Sequence, residues 1–206
     1  RQMVLDLPHR TARGREDFLV TASNRAAVDM IDRYPEWPSY AMVIAGLAGA
    51  GKTHLLEVWR DASGAALTTA SGVTEAAVPS LMASGALAID EAPGEGLDER
   101  GLFHLLNYAR QTGGHVLIAA ATPPVSWAIR IPDLASRLKA LPVAELGPPD
   151  DELLRGVLVK LFGDRQLAVD AGVISYLLVR MPRSLEAARA LVAAIDRQAL
   201  EEKTEI

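Results

Sequence analysis

The chain contains no cysteine, which excludes disulfides and cysteine-based zinc sites. Half of its 206 residues are hydrophobic, yet no apolar run approaches the roughly 20 residues needed to cross a bilayer. Asp6 and Pro8 stand where a secretory leader would have its apolar stretch, so neither export nor a membrane span is expected. A cytoplasmic protein is the expectation. Positive charge is also scarce. The formal net charge is −5, whereas neutralising nucleic-acid phosphates takes clustered Lys and Arg. Strong direct DNA binding is therefore not expected, and the one local patch, Arg10, Arg13 and Arg15, reads equally well as a solvated linker. Four histidines, His9, His54, His104 and His115, have no metal-ligand spacing and read as surface or packing residues.

What the chain does have is Gly46 to Thr53, G-L-A-G-A-G-K-T, which matches the phosphate-binding pattern G-x-x-x-x-G-K-[ST] in full. Its context fits as well. The apolar run Ala41-Met42-Val43-Ile44 reads as the strand before it, and His54 to Trp59 as the helix after it. Gly46, Gly49 and Gly51 allow the positive-φ turns that aim backbone N–H groups at phosphate oxygens near the positive end of a helix. Lys52 is then expected on the β- and γ-phosphates and Thr53 on Mg²⁺.

Alternating apolar runs and amphipathic stretches predict an α/β fold with a mostly parallel sheet covered on both faces. Strands are expected at 41–46, 65–69, 86–90, 115–120 and 142–146, with helices near 23–33, 52–61, 74–83, 98–111 and 132–138. After Pro148-Pro149 the strand signals stop. Three helices follow, near 149–162, 170–180 and 183–201, the last with Leu185, Ala188, Leu191, Val192 and Ile195 on one face. The expected organisation is a peptide and linker over 1–15, a nucleotide-binding core over 16–147, and a small helical lid over 148–206.

The strand Leu87-Ala88-Ile89 runs into Asp90 and Glu91. Strand C-termini in open α/β sheets face the ligand crevice, so Asp90 is expected in the magnesium shell and Glu91 beside an attacking water. Two acids after a strand also make an ordinary loop start; the upstream phosphate loop favours the functional reading.

Phe18-Leu19-Val20 with Ser23-Asn24, the G-K-T-H-L-L loop end, Asp90-Glu91, Leu102 to Asn107, Thr122-Pro123-Pro124, and Asp133 to Leu138 follow one another in fixed order. In that order and spacing the chain, from residue 16 to about 200, resembles the AAA+ domain of the bacterial replication initiator DnaA. It stops at Ile206, after the lid helices, without a helix-turn-helix, so within that group the expectation is the Hda family, regulators that switch the initiator off. Gln2-Met3-Val4-Leu5-Asp6-Leu7 resembles the hexapeptide by which such proteins dock on the sliding clamp (the β subunit of DNA polymerase), with Met3 replacing a leucine. In an extended segment Leu5 and Leu7 point to one side to fill an apolar groove, with the Gln2 amide at its edge. A tail or edge strand is the bland alternative.

The resemblance implies further roles. Arg137 aligns with an arginine finger that reaches a nucleotide held by a neighbouring subunit; an ion pair with Asp133 is the simpler reading. Arg183 aligns with the lid arginine that contacts bound nucleotide, against a surface role in a first helical turn. Phe18, Leu19 and Val20 are expected to wall the adenine, or simply to pack, and His54 joins the nucleotide-binding residues. One departure stands out: Ala121 occupies the place of a polar residue that orients water, so intrinsic hydrolysis should be slow unless Thr122 substitutes. The implied cofactors are ADP or ATP with Mg²⁺. The implied partners are the sliding clamp and DnaA, with a homodimer left open. The implied activity is stimulation of the initiator's ATP hydrolysis in a nucleoid- and replisome-associated complex. A helicase loader of the DnaC type and a non-catalytic adaptor are the alternatives.

Overall fold

The structure, a computed structural model, describes residues 18–202. The hexapeptide with Gln2, Leu5 and Leu7, the three linker arginines and His9 lie outside the described residues.

Five strands, β1 (Ala41–Gly46), β2 (Ala66–Thr69), β3 (Ala86–Ala92), β4 (His115–Ala120) and β5 (Val143–Leu146), form one parallel sheet in the order β2-β3-β4-β1-β5. A parallel sheet is covered on both faces, so its central strands are apolar without interruption. Successive side chains still part company. Val43, Leu87, Ile89, Val116 and Ile118 belong to one buried cluster, and Met42, Ile44, Ala86, Ala88, Leu117 and Ala119 to the other. On the first face lie α3 (Val78–Leu81), α4 (Glu99–Thr112) and α5 (Pro132–Lys139). On the second lie α1 (Arg25–Ile31) and α2 (Lys52–Ser63), whose Trp59 stacks on Trp37 with ring centroids 5.2 Å apart. The sheet thus separates α2 from α5.

Local chemistry sets the boundaries. Asp98 caps α4 by accepting from the N–H groups of Arg100 and Gly101, and the helix ends at Gly113 in the left-handed region. The helix expected near 74–83 divides into a 3₁₀ turn, Glu75–Ala77, and a single α turn, α3. Pro79 explains the break: it has no N–H to continue an earlier helix but fits a first turn.

After β5 come α6 (Asp151–Asp164), α7 (Ala171–Arg180) and α8 (Leu185–Glu202), with their own core of Leu154, Leu158, Phe162, Ile174, Leu178, Leu185, Ala188 and Val192. Asp150 caps α6 by accepting from Leu153 N–H at 2.7 Å. Its other oxygen accepts Ser23 N–H at 3.2 Å, tying the helical lid to the segment before α1. Burial raises the Asp150 carboxyl, but the hydrogen bonds from Leu153, Thr21 and Ser23 outweigh it and hold it below its ordinary value. No described helix is long and apolar enough to cross a membrane.

Candidate functional site

The phosphate loop joins β1 to α2 and carries left-handed backbone at Gly49, φ 75°, and at Gly51, φ 100°. Gly49 is also a point of close approach, for a Cβ there would overlap Ser184 Oγ and stand 2.8 Å from Ser184 Cβ. Leu185 N–H donates to Gly49 O at 2.9 Å. The start of α8 therefore rests directly on the loop, a contact between residues far apart in sequence. Lys52 turns back over its own loop, its Nζ donating to Gly46 O at 2.7 Å and Leu47 O at 2.9 Å. Burial lowers the Lys52 pKa from its ordinary value, and the Asp90 carboxylate partly opposes this.

Because the sheet is parallel and β4 lies between β1 and β3, the C-terminal ends of these three strands lie along one edge of the sheet. Thr53 hydroxyl donates to Asp90 Oδ2 at 2.8 Å, so the two expected magnesium ligands are already side by side. Among the described residues no group of three or more His, Asp or Glu side chains could hold a metal by itself. Two oxygens suffice only where phosphates and water complete the shell, which is the usual arrangement for Mg²⁺. Asp90 and Glu91 are part of β3 rather than its sequel, and the ladder shifts register between Ile89 and Ala92. Glu91 sits in that irregularity with φ 58°, exposed, its N–H donating to Asp90 Oδ1 at 2.8 Å. Left-handed backbone at a non-glycine residue stores about 1–3 kcal/mol and is found where surrounding structure demands it. Ala121 and Thr122 follow the end of β4, both exposed, and Thr122 O accepts the indole N–H of Trp127.

Beside the loop a cavity of about 50 Å³ is lined by Phe18, Leu19, Asn24 and His54, by Leu153, Val157 and Leu161 of α6, and by Leu185 and Arg189 of α8. Phe18 and the His54 ring lie 5.0 Å apart, and Arg189 Nη2 is 3.3 Å from His54 Nδ1. Val20 does not line the cavity but packs against the core on the α2 face. Asn24, to which the sequence assigned no role of its own, accepts from Thr21 N–H and donates to Leu19 O, both at 2.9 Å, fixing the wall that Leu19 presents. An asparagine just before a helix was the available signal.

The two arginines are placed differently, Arg183 next to the residue that meets the loop and Arg137 on the other face of the sheet. Arg183, just before α8, pairs with Asp151 in the first turn of α6 at 2.8 Å. Among the described residues no ion pair joins Arg137 to Asp133. The Arg137 guanidinium lies over the Phe103 ring, 5.1 Å from its centroid. It lines an open groove of about 560 Å³ with Ser39, Tyr40, Arg110, Asp133 and Ser136. Tyr40 immediately precedes β1, six residues before Gly46; at about 3.3 Å per residue that end of the strand is about 20 Å from the phosphate loop.

No protein-family model and no curated protein matches the sequence. Solved structures match in fold. Domain III of the Thermotoga maritima replication initiation protein DnaA is 20% identical, with 94% of this chain and 91% of that one covered and a TM-score of 0.73. AMPPCP-bound DnaA from Aquifex aeolicus is 19% identical over 90% of this chain, TM-score 0.72, and this chain spans 65% of that one. The Thermotoga maritima RuvB Holliday junction branch migration motor is 16% identical, with 94% and 67% covered and a TM-score of 0.71. The chain thus shares the fold of these proteins, a five-stranded parallel sheet between helices followed by three C-terminal helices.

Proposed function

We propose that this chain is a DnaA-related AAA+ regulator of the Hda type, which holds ADP or ATP with Mg²⁺ in its own phosphate loop and supplies Arg137 to ATP bound by the initiator. The observation that carries the reading is the separation of the arginine from the chain's own site. Lys52, Thr53 and Asp90 stand together, Thr53 bonded to Asp90 and the Asp90 charge felt at Lys52, whereas Arg137 belongs to a helix on the other face of the sheet and lines a groove reaching the other end of β1. A guanidinium so placed serves a nucleotide on another molecule better than its own.

Lys52 has the charge and position to hold β- and γ-phosphates, and Thr53 with Asp90 to hold the metal. Mg²⁺ bound there would neutralise phosphate charge. A cavity of about 50 Å³ is far smaller than the 300–1,000 Å³ of typical small-ligand pockets. A purine entering between Phe18, Leu19 and α6 must therefore part the helical lid from the core. The bound nucleotide then sets the shape in which the protein docks. Ala121 offers no group to orient a water, which fits slow turnover of the chain's own nucleotide.

In the initiator's site, water attacks the γ-phosphorus, the bond to the bridging oxygen breaks, and ADP and phosphate leave. Arg137 stabilises the charge spread over the equatorial oxygens, an effect worth about 10³–10⁵ in rate when supplied by a partner. The hexapeptide at residues 2–7, with Gln2, Leu5 and Leu7, would anchor the protein to a clamp loaded on DNA. The test is ATP turnover by purified DnaA with this protein, clamp and DNA, omitting one component at a time. Stimulation that needs all of them supports the reading; no increase over the initiator alone rejects it and leaves an adaptor that recruits without promoting hydrolysis.

A further inference from the structure

The helix that carries Arg137 begins without a cap of its own. Its N-cap residue is Ile131, whose side chain cannot accept a hydrogen bond. A carboxylate from another helix instead holds the two residues that lead into α5. Glu99, the first residue of α4, accepts the backbone N–H of Arg130 at 3.0 Å and of Ile131 at 2.8 Å, and the Arg130 Nε–H at 3.4 Å. The Glu99 side chain is 11% exposed and the Arg130 side chain 90%, so the bond to the Ile131 N–H is the more sheltered of the three. Four residues on, on the same face of α4, Phe103 supports the Arg137 guanidinium.

Helix α4 therefore holds α5 at two points, a carboxylate at its start and an aromatic ring beneath its arginine. Two points fix both the position of α5 along its axis and its rotation about it. Losing the first frees the helix to slide or turn, and the guanidinium moves with it.

We propose that Glu99 is a positioning residue for Arg137, acting through the start of α5 to set where the guanidinium stands. This rests on the reading that Arg137 works at a triphosphate held by another molecule. The competing explanation is a tertiary hydrogen bond that merely stabilises the fold. The two differ in what they move. A misplaced arginine lowers the maximal stimulated rate, because a shift of about 1 Å in a reacting geometry costs up to about 10²-fold. A less stable fold lowers the amount of competent protein, which more protein restores.

The experiment titrates the full chain against ATP-bound initiator on DNA-loaded clamp, reading the plateau rate and the half-maximal concentration for the parent, Glu99→Gln and Arg137→Ala. For Glu99→Gln the plateau is expected to fall about 10- to 100-fold, with the half-maximal concentration within about two-fold of the parent. A parental plateau, or one recovered at higher concentration, overturns the positioning role, provided Arg137→Ala abolishes stimulation. Stimulation undiminished in Arg137→Ala overturns the underlying reading instead. If the Gln chain does not fold, Glu99→Asp, which keeps the charge and shortens the reach by one methylene, reads the same split and is overturned by the same parental plateau.

Discussion

Replacing Gly49 by alanine isolates the contact between the phosphate loop and the helical lid. At φ 75° a Cβ is strained by about 1–2 kcal/mol. It would also overlap Ser184 Oγ and stand 2.8 Å from Ser184 Cβ, so the start of α8 has to withdraw. Withdrawal breaks the Leu185 N–H to Gly49 O bond, worth about 0.5–1.5 kcal/mol. It also re-exposes part of Leu185, now 6% exposed, at about 0.8 kcal/mol per methylene. The sum is about 2–4 kcal/mol, or about 5–15 °C in melting temperature for a chain of this length. Thermal unfolding followed by circular dichroism reads it. Adding Ser184→Gly in the Gly49→Ala background removes the two nearest atoms and leaves Ser184 Cα at 3.4 Å, an ordinary contact. The steric part should return, less a few tenths of a kcal/mol for the lost Ala187 N–H to Ser184 Oγ cap, while the φ strain stays. A Gly49→Ala chain that melts within about 1 °C of the parent, or no recovery in the double variant, would refute the argument.

Lys52→Ala should weaken binding of ATP and ADP by about 10- to 100-fold, the value of a hydrogen-bonded charge against phosphate, with little change in melting temperature; calorimetric titration measures it. Thr53→Val or Asp90→Asn should remove the Mg²⁺ dependence of ATP affinity while leaving metal-free binding near the parent value, read by repeating that titration with and without EDTA. Acid should unfold the protein partly through Glu99. Its carboxyl is held below the ordinary 4.5 first by the Arg130 backbone N–H, then by that of Ile131, against the opposing pull of burial. A depressed folded pKa gives stability that is complete above about pH 4.5 and lost as pH falls through the folded value. Glu99→Gln should flatten the stability curve below pH 4.5, and an unchanged acid slope would contradict the assignment.

What could be read from the chain was local. Gly46 to Thr53 was legible as a glycine turn between a strand and a helix because all its residues are consecutive, and β1 and β4 were legible as unbroken apolar runs, the mark of strands covered on both faces. Asp90 was legible from a strand running into an acid, although its partner Thr53 lies across β4, on the helix after β1. The seat of α8 on Gly49 was not legible, since Ser184 is 135 residues away and nothing in its neighbours marks it as a contact. Nor was Glu99: an acid in a first turn reads as a favourable charge at its own helix, and only the folded chain carries it to the start of α5. Arg137 shows the same limit. Its spacing to Asp133 left an ion pair as the alternative to the arginine-finger expectation, and the structure sets the guanidinium on Phe103 from another helix.

The central claim is that Arg137 completes a triphosphate site belonging to another molecule. The direct measurement is single-turnover hydrolysis of ATP preloaded on the initiator, with DNA-loaded clamp and saturating parent or Arg137→Ala protein. The account predicts that the substitution removes the stimulated part of the rate, by about 10³-fold or more, while clamp affinity and the chain's own nucleotide affinity stay at the parent values. Equal hydrolysis with parent and Arg137→Ala protein would contradict it.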